Sequence, residues 1–177
     1  VPSLFTAFTT GTENSNPLIY GAVNPFVASK GQVVQIVVNN LDAAIHPFHL
    51  HGHQFQVCER PSFGAGTFNG HTRNFPAVPM RRDTVAVNPG SYVVLRFLAE
   101  NPGVWLFHCH IEWHVIMGLA ATIIEAPEEL CGLPIPDDSQ AACAAQNIPI
   151  AGNAAGNTKN LTDMTGANTV PPYPDNG

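Results

Sequence analysis

Apolar positions along the chain come in short, β-branched runs broken at regular intervals by Pro, Gly and Asn. Residues 33–39 (VVQIVVN), set between Lys30-Gly31 and Asn40, predict a buried strand. Residues 48–58 predict a second extended run, with Gly52 placed to form a bulge. Residues 64–70 (GAGTFNG) read as a loop. Residues 82–87 (RDTVAV) and 92–97 (YVVLRF) predict strands closed by the turns Asn88-Pro89-Gly90 and Asn101-Pro102-Gly103. Residues 104–110 are extended, 112–117 make one short helical turn before Gly118, and 119–125 (LAATIIE) predict a last strand. Short strands at such spacing predict an all-β sandwich or barrel. After Pro127 the pattern fades into Pro, Asn, Gly and Ala. A helical turn at 143–146 aside, residues 127–177 predict an irregular tail. Such a tail needs a surface to lie on, more than a domain of residues 1–126 is expected to offer. No internal repeat is visible.

Composition narrows the function. Hydrophobic residues make up 45% and charged residues 11% of the 177 positions, enough apolar surface for a core. A net charge of −6 leaves no basic stripe, which argues against nucleic-acid binding. No apolar run is long enough to span a membrane, and no signal peptide opens the chain. Val1-Pro2-Ser3 reads like the interior of a longer protein. Cys131 and Cys143 would pair as a disulfide in an oxidising compartment, or either would reach a partner chain; Cys58 reads as a plain buried thiol. Asn160-Leu161-Thr162 is an acceptor for an N-glycan on a secreted chain.

The histidines change the picture most. The chain has eight, and HPFHLHGH (46–53) holds four and HCHIEWH (108–114) three. Alternate residues of a strand point to opposite faces. His108 and His110 therefore point one way and Cys109 the other. His49 and His51 share one parity and His46 has the other. One face then collects His46, Cys109 and, through the following turn, His114. Two imidazoles and a thiolate are the donor set of a blue-copper electron-transfer centre. Its weak axial position falls to Leu119, which cannot coordinate and so raises the reduction potential, or to Met117. The other face collects four imidazoles, His49, His51, His108 and His110, a set suited to copper or zinc. A structural zinc would not need a cysteine wired between its ligands. His53 shares the second parity, but Gly52 interrupts the pleat; it is a fifth ligand or a structural histidine. His71, in a loop, reads as a surface residue.

These motifs, with PMRRDTVAV and NPGVWLFHCHIEWH, resemble the last cupredoxin domain of the multicopper oxidases, the family of laccases and ferroxidases. The tail GNAAGNTKNLTDMTG resembles its fungal members. The resemblance implies a cupredoxin-like Greek-key fold and four coppers in the complete enzyme. His46, Cys109 and His114 would bind the type 1 copper, His49 the type 2 copper, and His51, His108 and His110 the type 3 pair. Type 2 and type 3 coppers together reduce dioxygen to water. Glu112 matches the family's proton-relay position, though a surface role on a short helix also fits. The trinuclear cluster takes eight histidines and this chain offers four, so N-terminal domains of the same oxidase are the expected partner.

The reducing substrate stays open between a phenol and Fe(II). Asp42, before His46, resembles a carboxylate that ferroxidases keep near the type 1 copper, but also suits an ordinary turn. Iron-uptake ferroxidases carry a membrane anchor after such a tail; the sequence reaches Gly177 without one, unless processing has removed it. The expectation is therefore a secreted, laccase-like oxidase, with ferroxidase as the alternative. A freestanding electron-transfer cupredoxin would leave four histidines idle.

Overall fold

The computed structural model describes residues 1–71 and 75–168. In chain order its elements are α1 (Ser3–Thr9), β1 (Pro25–Ala28), β2 (Val33–Asn40), β3 (His46–Leu50), β4 (Phe55–Glu59), β5 (Met80–Arg82), β6 (Thr84–Val87), β7 (Ser91–Leu98), β8 (Gly103–Cys109), α2 (Glu112–Ile116), β9 (Ala120–Glu125) and α3 (Asp137–Ala144). One sheet runs β1-β9-β8-β3-β6 and the other β2-β7-β4-β5. All pairings are antiparallel except β1 with β9. The sheets form a sandwich and do not close into a barrel.

Alternation explains the core between them. Val34, Ile36 and Val38 of β2 pair with Phe97, Leu95 and Val93 of β7, and all six point inward. Phe48, Leu50, Phe107, Cys109 and Ile123 meet them from the other sheet. At roughly 1.5–3 kcal/mol for each large side chain buried, this cluster carries most of the drive to fold.

Two predicted strands break where the chain changes sheet. The run 48–58 divides into β3 and β4, which lie in different sheets. Gly52 is therefore a corner and not a bulge. It has φ +71°, and a Cβ there would stand 2.6 Å from the Trp105 ring. The bulge lies further on, where the β4–β7 register shifts between Val57 and Glu59. The run 82–87 likewise breaks at Asp83 between β5 and β6. Both breaks let one continuous segment line both layers.

A second cluster covers the outer face of the first sheet at one end. Ala7, Ile19, Tyr20 and Leu130 pack on Ile124, with Val27, Val104 and Leu161 around them. The sequence pattern missed α1 and β1. The tail is less irregular than expected, since it holds α3, and residues 150–168 lie on this chain's own N-terminal segment. Ala154 N donates to Ile19 O at 2.8 Å, the Val1 amino group donates to Ala154 O at 2.9 Å, and Gly152 N donates to Thr9 Oγ1 at 3.1 Å. Buried Asn153 ties the tail together: its Nδ2 donates to Leu161 O and Asp163 O, and its Oδ1 accepts from Ala155 N and Asn157 N. Residues 169–177 of the predicted tail lie outside the described residues. The Cys131–Cys143 disulfide is not formed: Cys131 faces solvent, Cys143 is buried, and both are free thiols. No helix among the described residues is long and apolar enough to cross a membrane.

Candidate metal centre

Strand register sorts the histidines. Phe48 pairs with Cys109 and His49 with His108 across β3 and β8. Directly paired residues share a face, so His49 and His108 stand on the face opposite Phe48 and Cys109. The Phe48–Cys109 face looks into the sandwich core, and His46, two residues from Phe48, shares it. The His49–His108 face looks out of the sheet. Backbone bonds from His51 N to Leu106 O (3.0 Å) and from His110 N to Pro47 O (2.6 Å) extend this outer column beyond both strands.

On the inner face the three predicted donors meet. Cys109 Sγ, fully buried, lies 3.6 Å from His46 Nδ1 and 3.5 Å from His114 Nδ1. His114 reaches back through α2, whose first turn is set by His114 N donating to Ile111 O. All three donor atoms lie within 4.8 Å of one another. Donors in a plane about a metal, bonded at about 2.0–2.3 Å, stand roughly 3.5–3.8 Å apart. Both sulfur–nitrogen distances match that spacing, and two imidazoles with a thiolate are the donor set of a His2Cys copper. Leu119 O accepts from Cys109 N at 3.1 Å and Leu119 N donates to His114 O at 2.9 Å, which fixes Leu119 beside the triad. Met117 is 77% exposed on the preceding turn.

Asp42 joins this centre directly. Its Oδ2 lies 2.8 Å from His46 Nε2; its side chain is 57% exposed and that of His46 9%. The hydrogen bond from His46, followed by that from Ala43 N, holds the Asp42 carboxyl below the usual carboxylate range. With Nε2–H donated to Asp42, the Nδ1 lone pair of His46 is free for a metal.

On the outer face four imidazoles form an open basin. Ring centroids lie 4.9 Å apart for His49–His51, 5.2 Å for His51–His108, 5.5 Å for His108–His110 and 5.9 Å for His49–His110. Nε2 of His51 and Nε2 of His108 face each other at 3.1 Å. Two rings are aimed by backbone carbonyls: His49 Nδ1–H donates to Asp83 O at 2.8 Å, and His108 Nδ1–H to Cys109 O at 2.9 Å. Both leave Nε2 for a metal. Burial, then the neighbouring His49, His108 and His110, push the pKa of His51 down, towards the neutral form that ligates. The donor chemistry fits copper on this face too, and the basin is open on the side where His51 and His110 are exposed.

His53 is not a fifth ligand. It packs on Phe97 with ring centroids 4.6 Å apart, and its Nε2 stands 2.7 Å from Glu125 Oε2. Burial alone would lower its pKa; the contacts with Glu125 and the His51 carbonyl outweigh this and raise it. Glu125 was not singled out from sequence, although a carboxylate ending the apolar strand LAATIIE was a visible signal. The carbonyl of Asp83 carried none. His71 is exposed, as expected, and Glu112 is exposed at the first position of α2.

Comparison with known proteins follows the same lines. Residues 1–129 match the family model described as multicopper oxidase. The chain is 56% identical over 177 residues to the iron transport multicopper oxidase fetC of Epichloe festucae, covering 97% of this chain and 28% of that protein. It is 45% identical to the iron transport multicopper oxidase fio1 of Schizosaccharomyces pombe, again over 97% of this chain and 28% of that protein. Among solved structures, Fet3p, a multicopper oxidase that functions in iron import, superimposes with a TM-score of 0.85 at 40% identity, over 92% of this chain and 33% of that one. A laccase from Botrytis aclada gives 0.59 at 30% identity, over 71% and 24%. The chain thus spans little more than a quarter of the length of the curated relatives it matches.

Proposed function

The chain belongs to the multicopper oxidase family, and from that premise we propose that it is the last cupredoxin domain of an iron-oxidising enzyme. The observation that carries this reading is the 2.8 Å contact between the exposed carboxylate of Asp42 and the buried ring of His46. Fe(II) is a hard cation that prefers carboxylate oxygen. Asp42 holds it at the surface, and His46 gives its electron a hydrogen-bonded path to the Cys109 position. Cys109 connects through its own backbone to His108 and His110, and the His108 Nδ1–Cys109 O bond gives a second link to the outer face. Copper, when bound, supplies one-electron acceptance at the inner site and dioxygen reduction to water at the outer one. His49, His51, His108 and His110 hold half of that outer cluster, and another domain of the same protein supplies the remaining histidines. Glu112, two residues after His110, delivers protons to it. Leu119, fixed beside the triad by its backbone bonds, would offer the copper no donor atom.

A phenol-oxidising, laccase-like enzyme was the expectation from sequence. The names of the similar proteins and the Asp42 contact support the iron reading instead. An exposed Asn160, whose Oδ1 accepts from Thr162 Oγ1 at 3.0 Å, supports a secreted, glycosylated chain. Oxygen uptake by the complete protein, with Fe(II) or a phenol as sole reductant, tests the substrate. A higher kcat/KM for the phenol would overturn the assignment.

A further inference from the structure

Three groups that the copper chemistry does not use converge on the turn that carries His51. His53 Nδ1–H donates to the His51 carbonyl at 3.0 Å. Its Nε2 stands 2.7 Å from Glu125 Oε2, and among the described residues those two atoms have only each other. Glu125 has no exposure at all, and its other oxygen accepts from Asn101 N at 2.6 Å. The Asn101 side chain returns to the same turn, its Nδ2 donating to Gly52 O at 2.9 Å. Trp105 closes the ring of contacts: its Nε1 donates to Asn101 O at 2.8 Å while its face lies where any Cβ on Gly52 would be.

The carbonyls of His51 and Gly52 are thus each held by a side chain anchored on another part of the sandwich. An unpaired carboxylate with no exposure is costly, so Glu125 fixes the position of His53 and is not merely tolerated by it. The His51 imidazole is otherwise exposed and hangs from this turn, with Nε2 3.1 Å from His108 Nε2. Groups that orient a ligand set metal affinity almost as strongly as the ligands do.

We propose that His53, anchored by Glu125 and seconded by Asn101, is a positioning residue that aims His51 at its metal in the outer cluster. This rests on the copper reading of that face given above. The device is local to the outer face, because His46, Cys109 and His114 share none of these contacts.

The test uses the complete copper-loaded protein and two variants. His53→Phe keeps the ring packing on Phe97 but loses both polar contacts. Asn101→Ala alters an exposed side chain and removes only the bond to Gly52 O. Three readouts are taken: the blue band of the His46–Cys109–His114 site, the near-ultraviolet band of the coupled cupric pair, and copper retained against a chelator. For His53→Phe the blue band persists while the cupric-pair band fades, and the outer site holds copper about 10- to 100-fold more weakly. For Asn101→Ala the same loss is about fivefold, the worth of one hydrogen bond. Wild-type retention and an unchanged cupric-pair band in His53→Phe, or in Asn101→Ala where His53→Phe does not fold, would overturn the inference. A wild type without that band brings down the cluster reading together with this inference, whereas a variant that keeps it brings down this inference alone.

Discussion

The carboxylate of Asp42 meets His46 on the side of the ring facing away from Cys109. Oδ2 lies 2.8 Å from Nε2, while Nδ1 of the same ring lies 3.6 Å from Cys109 Sγ. One buried imidazole therefore joins a solvent-facing anion to a buried thiol. That geometry separates two effects of removing the charge. A cation loses its binding oxygen, and the His46 ring loses the partner that makes it a stronger donor.

Asp42→Asn should therefore lower kcat/KM for Fe(II) by about 10- to 100-fold and leave phenol oxidation undiminished. The reduction potential of the type 1 site should rise, because a less basic His46 stabilises the oxidised copper less. Stopped-flow oxidation of both reductants and a redox titration of the blue band check this. Equal losses for both substrates would mean that Asp42 only supports the fold of the loop.

Cys109→Ser removes the one thiolate of the inner site, buried between His46 and His114. The blue band and all oxidase activity should vanish, with one copper lost per protein. The outer imidazoles stand on the other face of β8 and should keep their copper. Metal analysis with electron paramagnetic resonance decides; retained blue colour would sink the assignment.

The two faces of donor side chains were legible in the sequence because strand parity is fixed by covalent geometry. Once HCH lies on a strand, Cys109 must face away from His108 and His110, whatever surrounds them. The Asp42 contact was visible only as spacing, since a turn residue and a ligand partner look alike in one chain. The split of 48–58 was not legible, because the corner depends on Trp105 lying against Gly52, a contact between distant segments. The same holds for the tail. Asn153 is one polar residue among many in its stretch, and its four backbone partners exist only after the chain has folded back. Spacing also suggested the absent disulfide, but it does not say which sulfur is buried.

Thiol labelling checks that last point. Under native conditions Cys131, exposed and free, should react quickly with a neutral alkylating agent, and Cys143 slowly. Cys58 should also be slow, because burial pushes its thiol pKa up and leaves less thiolate. Mass spectrometry after a short pulse should find one fast site. No fast site before reduction and one or two after it would restore a disulfide involving Cys131.

Gly52 tests the corner itself. At Gly31, φ +78°, a Cβ would meet nothing within 4 Å, whereas at Gly52, φ +71°, it would stand 2.6 Å from Trp105. Gly31→Ala should cost only the left-handed backbone strain, about 1–2 kcal/mol. Gly52→Ala carries that strain plus overpacking of a ring held by its hydrogen bond to Asn101 O, a further 1–3 kcal/mol or so. Comparing the first denaturant transition of the two variants cancels the shared backbone term. A larger loss at Gly52, accompanied by a change in Trp105 fluorescence, means that the ring sets the path of the chain between the sheets. Equal losses would mean that Trp105 yields freely and that the corner is held by its hydrogen bonds alone.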